Sequence, residues 1–105
     1  MKMFIVTSIK EDLQNVSQIF EEAQIPVFSV SDTIGHKSEH NNYLLNNWFA
    51  RSDAATIALF FFSFTDDEKA AKALELVKNH NTLKPNSFPI RAFIVPVENC
   101  SYQNC

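Results

Sequence analysis

The sequence predicts an α+β domain of βαββαβ order, with a four-stranded antiparallel sheet and two helices on one of its faces. Three observations predict it. Four runs rich in β-branched and aromatic residues read as strands. Stretches whose apolar residues recur every three or four positions follow the first and third of them, as amphipathic helices do. At each strand-to-helix step a Ser or Thr stands three residues before a Glu, the signature of a capping box that satisfies free backbone N–H groups.

Met3-Phe4-Ile5-Val6-Thr7 is the first strand. Ser8 and Glu11 open a helix whose apolar stripe is Ile9, Leu13, Val16, Phe20 and Ala23, and which ends near Gln24 before Pro26. Residues 27–34 form the second strand. Gly35, the only glycine, stands at its end, where a lone glycine signals a bulge or a close backbone approach. Residues 36–53 turn polar and form a long connection, of the kind that is usually functional.

Residues 54–64 make the strongest strand. Thr65 and Glu68 then open a second helix with Ala70, Ala73, Leu74 and Val77 on its apolar stripe and Lys69, Lys72 and Lys78 outward. Asn79-His80-Asn81 ends it. A loop with two prolines leads to the last strand, residues 91–97. The domain spans 1–97, and a Cys-containing tail covers 98–105. The whole is the split βαβ, or ferredoxin-like, arrangement.

Bulk properties exclude several classes. A chain of 105 residues fits one domain. With 46% hydrophobic and 20% charged residues it is globular. A net charge of −3 lacks the basic footprint of a nucleic-acid binder. The apolar run around residues 58–62 is far short of the roughly 20 residues of a membrane helix, so no membrane insertion is expected. Met3–Val6 is too short for the apolar core of a signal peptide, and a cytoplasmic protein is expected. In that compartment a stable disulfide between Cys100 and Cys105 is not the default.

The chain has ten phenylalanines, four of them in residues 54–64. By strand alternation Ile57, Leu59 and Phe61 point one way, and Ala58, Phe60, Phe62 and Phe64 the other. Two helices cover one face only, so the other needs a partner, and sheet-to-sheet packing of several copies provides it. The alternative is a curved sheet covered by the long connection and the tail.

The chain resembles the PII-like signalling family along nearly its whole length. Glu21-Glu22-Ala23-Gln24-Ile25-Pro26-Val27-Phe28-Ser29-Val30 is similar to the family's E-A-G-I-P-G-F-T-V stretch. Asp32-Thr33-Ile34-Gly35-His36-Lys37 is similar to its V-x-G-x-G/K turn, and Arg91-Ala92-Phe93-Ile94-Val95 to its final K-I-F-V strand. The resemblance implies a homotrimer with inward-facing sheets, effectors such as adenine nucleotides in clefts between subunits, and a long loop at 36–53 that docks on a membrane transporter or an enzyme. Where the family carries a glycine-rich phosphate loop, this chain has Phe88-Pro89-Ile90-Arg91, and only the basic residue matches. Some PII-like proteins linked to bicarbonate transport end in a redox-active Cys-x4-Cys, to which Cys100–Cys105 is similar; others are linked to heavy-metal efflux.

Four sets of residues carry candidate chemistry. Gly35, His36, Lys37 and Arg91 form the effector set: cations beside a glycine that admits close approach suit a phosphate or carboxylate. Otherwise these are ordinary surface charges. His36, His40, Cys100 and Cys105 form a candidate transition-metal set. On an extended strand the two histidines stand about 13 Å apart, too far for one ion, so the alternative is a solvated loop. Cys100 and Cys105 are also a redox pair, or two reduced thiols on a frayed tail. Tyr43, Leu44, Trp48 and Phe49, with Leu45, are apolar residues in a polar loop, suited to a partner's groove or to folding back on the sheet. No Ser-His-Asp pattern, phosphate loop or carboxylate pair supports catalysis.

Overall fold

The computed structural model describes residues 1–36, 55–85 and 88–102, apart from the side chains of residues 36 and 55–57. Strand β1 (Lys2–Ser8) leads through a short 3-10 turn (Lys10–Asp12) into helix α1 (Leu13–Glu22). Strands β2 (Ser29–His36) and β3 (Ala55–Thr65), helix α2 (Asp67–Leu83) and strand β4 (Arg91–Pro96) follow. The strands form one antiparallel sheet in the order β2-β3-β1-β4, the order of a ferredoxin-like fold.

The helix-covered face holds the core. Phe4 and Val6 on β1, Leu59 and Phe61 on β3, Val16, Ile19 and Phe20 on α1, and Ala73 and Val77 on α2 are all buried. Phe20 is central: its ring meets Phe4 edge-on at 5.8 Å and stacks on Phe28 at 4.4 Å. Ser8 and Ser63 are buried polar residues on this face, and the Ser63 hydroxyl donates to the Val27 carbonyl.

Helix α1 ends in a Schellman motif. Ile25 N–H bonds the Phe20 carbonyl and Gln24 N–H the Glu21 carbonyl, at 2.9 and 3.0 Å. The motif needs a left-handed residue, and Gln24 takes it, with φ 62°. Buried Ile25 and Phe20 join the same core, as the motif's apolar contact requires.

Several local expectations are corrected. Ser8 does not cap α1: its hydroxyl donates to the Ile9 carbonyl, and the 3-10 turn moves the helix start to Leu13. Leu13, expected on the buried stripe, is 43% exposed, because it sits at the helix start beyond the core. The cap of α2 is Asp66 rather than Thr65; its carboxylate accepts from Lys69 N–H at 2.8 Å. Helix α2 continues past Asn79-His80-Asn81 to Leu83. No bulge occurs at Gly35, since the β2–β3 register runs unbroken from Ser29 opposite Phe62 to His36 opposite Ala55. Gly35 has no positive φ either, but it is buried, which fits the close-approach reading.

The other sheet face is apolar, as alternation requires. Phe60, Phe62 and Phe64 form a ladder with ring separations of 5.8 and 6.2 Å. Met3, Ile5 and Phe93 are half-buried beside it, while Phe64 and Val95 are exposed. No helix among the described residues is long and apolar enough to cross a membrane.

Candidate functional site

Arg91 is the effector candidate whose side chain the structure describes. It opens β4 opposite Thr7, which itself faces Phe60 on β3. Its guanidinium reaches the Pro89 carbonyl at 3.3 Å and takes part in no ion pair among the described residues. Partial burial lowers its pKa from the ordinary arginine value, because desolvation disfavours the charged form. It stays protonated all the same, so it is a permanent cation held partly out of water.

The approach to β4 is rigidly set. Asn81, in the last turn of α2, accepts from Ile90 N–H at 3.0 Å and donates to the Ile90 carbonyl at 2.8 Å. One side-chain amide thus takes both backbone groups of the residue before Arg91. Between α2 and β4 runs a groove of about 380 Å³, lined by Leu74, Val77, Lys78 and Asn81 on the helix and by residues 90–93 on the strand side. Lys78, expected to be an outward charge, is exposed, and positions 74, 77, 78 and 81 share one helical face.

Gly35 is distant from Arg91 within one chain. Arg91, Thr7, Phe60 and Ser31 form one rung across the sheet, and Gly35 lies four residues further along β2. Three strand spacings and four residues of rise give a separation on the order of 20 Å. His36 ends β2 opposite Ala55. Lys37, the partner-docking residues Tyr43, Leu44, Trp48 and Phe49, the metal candidate His40, and Cys105 lie outside the described residues.

Cys100 is disulfide-bonded. Its sulfur lies 3.5 Å from the Tyr102 carbonyl, a contact rather than a hydrogen bond, since a disulfide sulfur carries no proton. Metal ligation by Cys100 would require the thiolate. Among the described residues no group of three or more His, Cys, Asp and Glu is placed to hold a metal ion.

A larger groove of about 760 Å³ runs beside α1, lined by Gln14, Gln18, Glu21 and Gln24 over Ile25 and Phe28. It contains none of the effector, metal, redox or partner-docking candidates and no cation. No protein-family model matches the chain, and no curated protein matches it.

Proposed function

We propose that the protein is a PII-like regulatory subunit that works as a homotrimer and transmits the binding of a small anionic effector to a membrane transporter or an enzyme in the cytoplasm. The exposed, Phe-laddered sheet face carries this reading. Burial of Phe64 and Val95, with the half-buried ring of Phe62, against other copies removes apolar surface from water at about 25 cal/mol per Å².

The same assembly supports an effector site between subunits. In one chain Gly35 and Arg91 are too far apart to hold one small ligand, so an anion bound by both needs them from different copies. Gly35 precedes the connection at 36–53 and Lys37 lies at its start, and through that connection the reading routes the signal. An effector then acts by binding one arrangement of that connection better than another. Cys100 and Cys105 add a redox input at the tail.

Sedimentation equilibrium tests the assembly. A mass three times that of the 12.0 kDa chain is expected. A single-chain mass at all concentrations would sink the reading. Calorimetry with adenine nucleotides, with and without Mg²⁺, tests the effector class; absence of heat from each of them removes the nucleotide version.

A further inference from the structure

The two edges of the sheet are finished differently. Edge strand β4 has six residues, follows Pro89 and ends in Pro96, and prolines blunt an edge because they lack a backbone donor. Edge strand β2 has eight residues, contains no proline, lysine or arginine, and pairs with β3 without a bulge. Its one carboxylate, Asp32, is paired with Lys10 at 3.5 Å. Half of the backbone N–H and C=O groups of β2 therefore point outward, and none of the usual edge-blocking devices stands in front of them.

This open edge borders the groove beside α1. Helix α2 packs against α1, β1 and β4, and the flank of α1 that faces it carries Asn15 and Glu22. The opposite flank carries Gln14, Ser17, Gln18 and Glu21, at helical spacing, and walls the groove of about 760 Å³. Phe28, stacked on Phe20, lies in its floor. Val30, Asp32 and Ile34 continue the same side of β2, since Val30 stands opposite buried Phe61 and Asp32 opposite buried Leu59. Val30 and Ile34 are nevertheless exposed, because neither helix reaches out over the edge strand. Phe28, Val30 and Ile34 thus form one apolar row along an unpaired strand edge, with a hydrogen-bonding helix flank beside it.

From this arrangement we infer a docking site for an extended peptide segment of a partner protein, which adds to β2 as a fifth, antiparallel strand. Backbone pairing supplies the affinity and alternate side chains supply the selectivity. Residues of the segment opposite Phe28, Val30 and Ile34 are apolar, and those between them lie beside Ser29, Ser31 and Thr33 and are small and polar. Glu21 is the one charged residue lining the groove, so the end of the segment that passes Phe28 carries a lysine or arginine. The inference goes beyond the regulatory reading: it uses the helix side of β2 and needs neither the open sheet face nor Gly35, Lys37 or Arg91.

The probe is the fluorescently labelled peptide VTTTVTLK, whose leucine is placed at Phe28 and whose lysine reaches Glu21. Anisotropy should rise saturably with the full chain, and amide shifts should map to residues 14–21 and 28–35. Two N-methylated versions test strand addition, because only every second N–H of a strand faces a given neighbour. Methylation of the second, fourth and sixth residues, or else of the third, fifth and seventh, should abolish binding, and the other set should leave it intact. Glu21→Lys should weaken the peptide about fivefold, as loss of an exposed charge pair does, and a peptide ending in glutamate should regain the loss. Val30→Glu should weaken binding, whereas Phe64→Glu, on the open face, should not. Absence of saturable binding, equal binding of a scrambled peptide, or equal effects of the two methylation sets would overturn the site. Self-association that Val30→Glu abolishes and Phe64→Glu does not would assign the edge to a second copy and overturn it as well.

Discussion

Asn81 and Ile90 are joined by two hydrogen bonds, of 2.8 and 3.0 Å, between one side-chain amide and both backbone groups of one residue. Nine positions apart in sequence, they close the loop that leads from α2 into the edge strand β4. The amide imitates a strand neighbour for a residue that precedes the sheet ladder, so buried Ile90 keeps its polar groups satisfied.

Replacing Asn81 tests that clamp. Asn81→Ala leaves the Ile90 N–H and carbonyl without this partner and should cost about 1–3 kcal/mol. Asn81→Asp keeps the acceptor but sets a carboxylate against the Ile90 carbonyl, and a loss of similar size is expected. Urea unfolding checks both: the midpoint should fall without a change in slope.

Gln24 is the described non-glycine residue with positive φ, at 62°. A side chain in that region costs about 1 kcal/mol relative to glycine, which is partly offset by glycine's greater freedom in the unfolded chain. Gln24→Gly should therefore stabilise the fold by about 0.5 kcal/mol, and Gln24→Val should destabilise it. Thermal unfolding of the two variants should bracket the parent chain.

Asp66 caps α2 through Lys69 N–H at 2.8 Å and also lies 3.9 Å from the Lys69 ammonium. The cap outweighs the ion pair, because both side chains are well exposed and screened by water. Asp66→Ala should cost about 1 kcal/mol. Asp66→Ser keeps a capping oxygen without the charge and should recover most of that loss. A Ser variant as weak as the Ala variant would place the energy in the charge instead.

The two sheet faces make opposite predictions for phenylalanine. Phe61 is fully buried against Phe20 and Phe28, and Phe61→Ala should cost about 3–5 kcal/mol. Phe64 is 53% exposed on the open face. Phe64→Glu should leave the circular dichroism of the chain intact and reduce the proposed trimer to single chains in sedimentation. Retention of the full mass by Phe64→Glu would separate the open face from the assembly.

Element order, the core stripe of α1 and the two-faced character of β3 were readable from sequence because each rests on local periodicity. Val16, Phe20 and Ala23 recur at helical spacing, and all three are buried. Leu59 and Phe61 alternate with Phe60 and Phe62, and the sheet sorts them accordingly. The caps were misplaced by a residue or more, because Ser8 and Thr65 have neighbours able to compete for the same backbone groups. Asn81 read as a helix stop for a similar reason: its composition favours termini, whereas here its amide is used on a distant backbone.

By itself the sequence determined which segments become strands and helices and which side of each is apolar, since those properties depend on residues a few positions apart. Only the tertiary structure decided the strand order and the separation of Gly35 from Arg91 across the sheet. The physical reason is that these depend on which strands pair and in what register, and pairing joins residues far apart along the chain whose local patterns carry no record of one another.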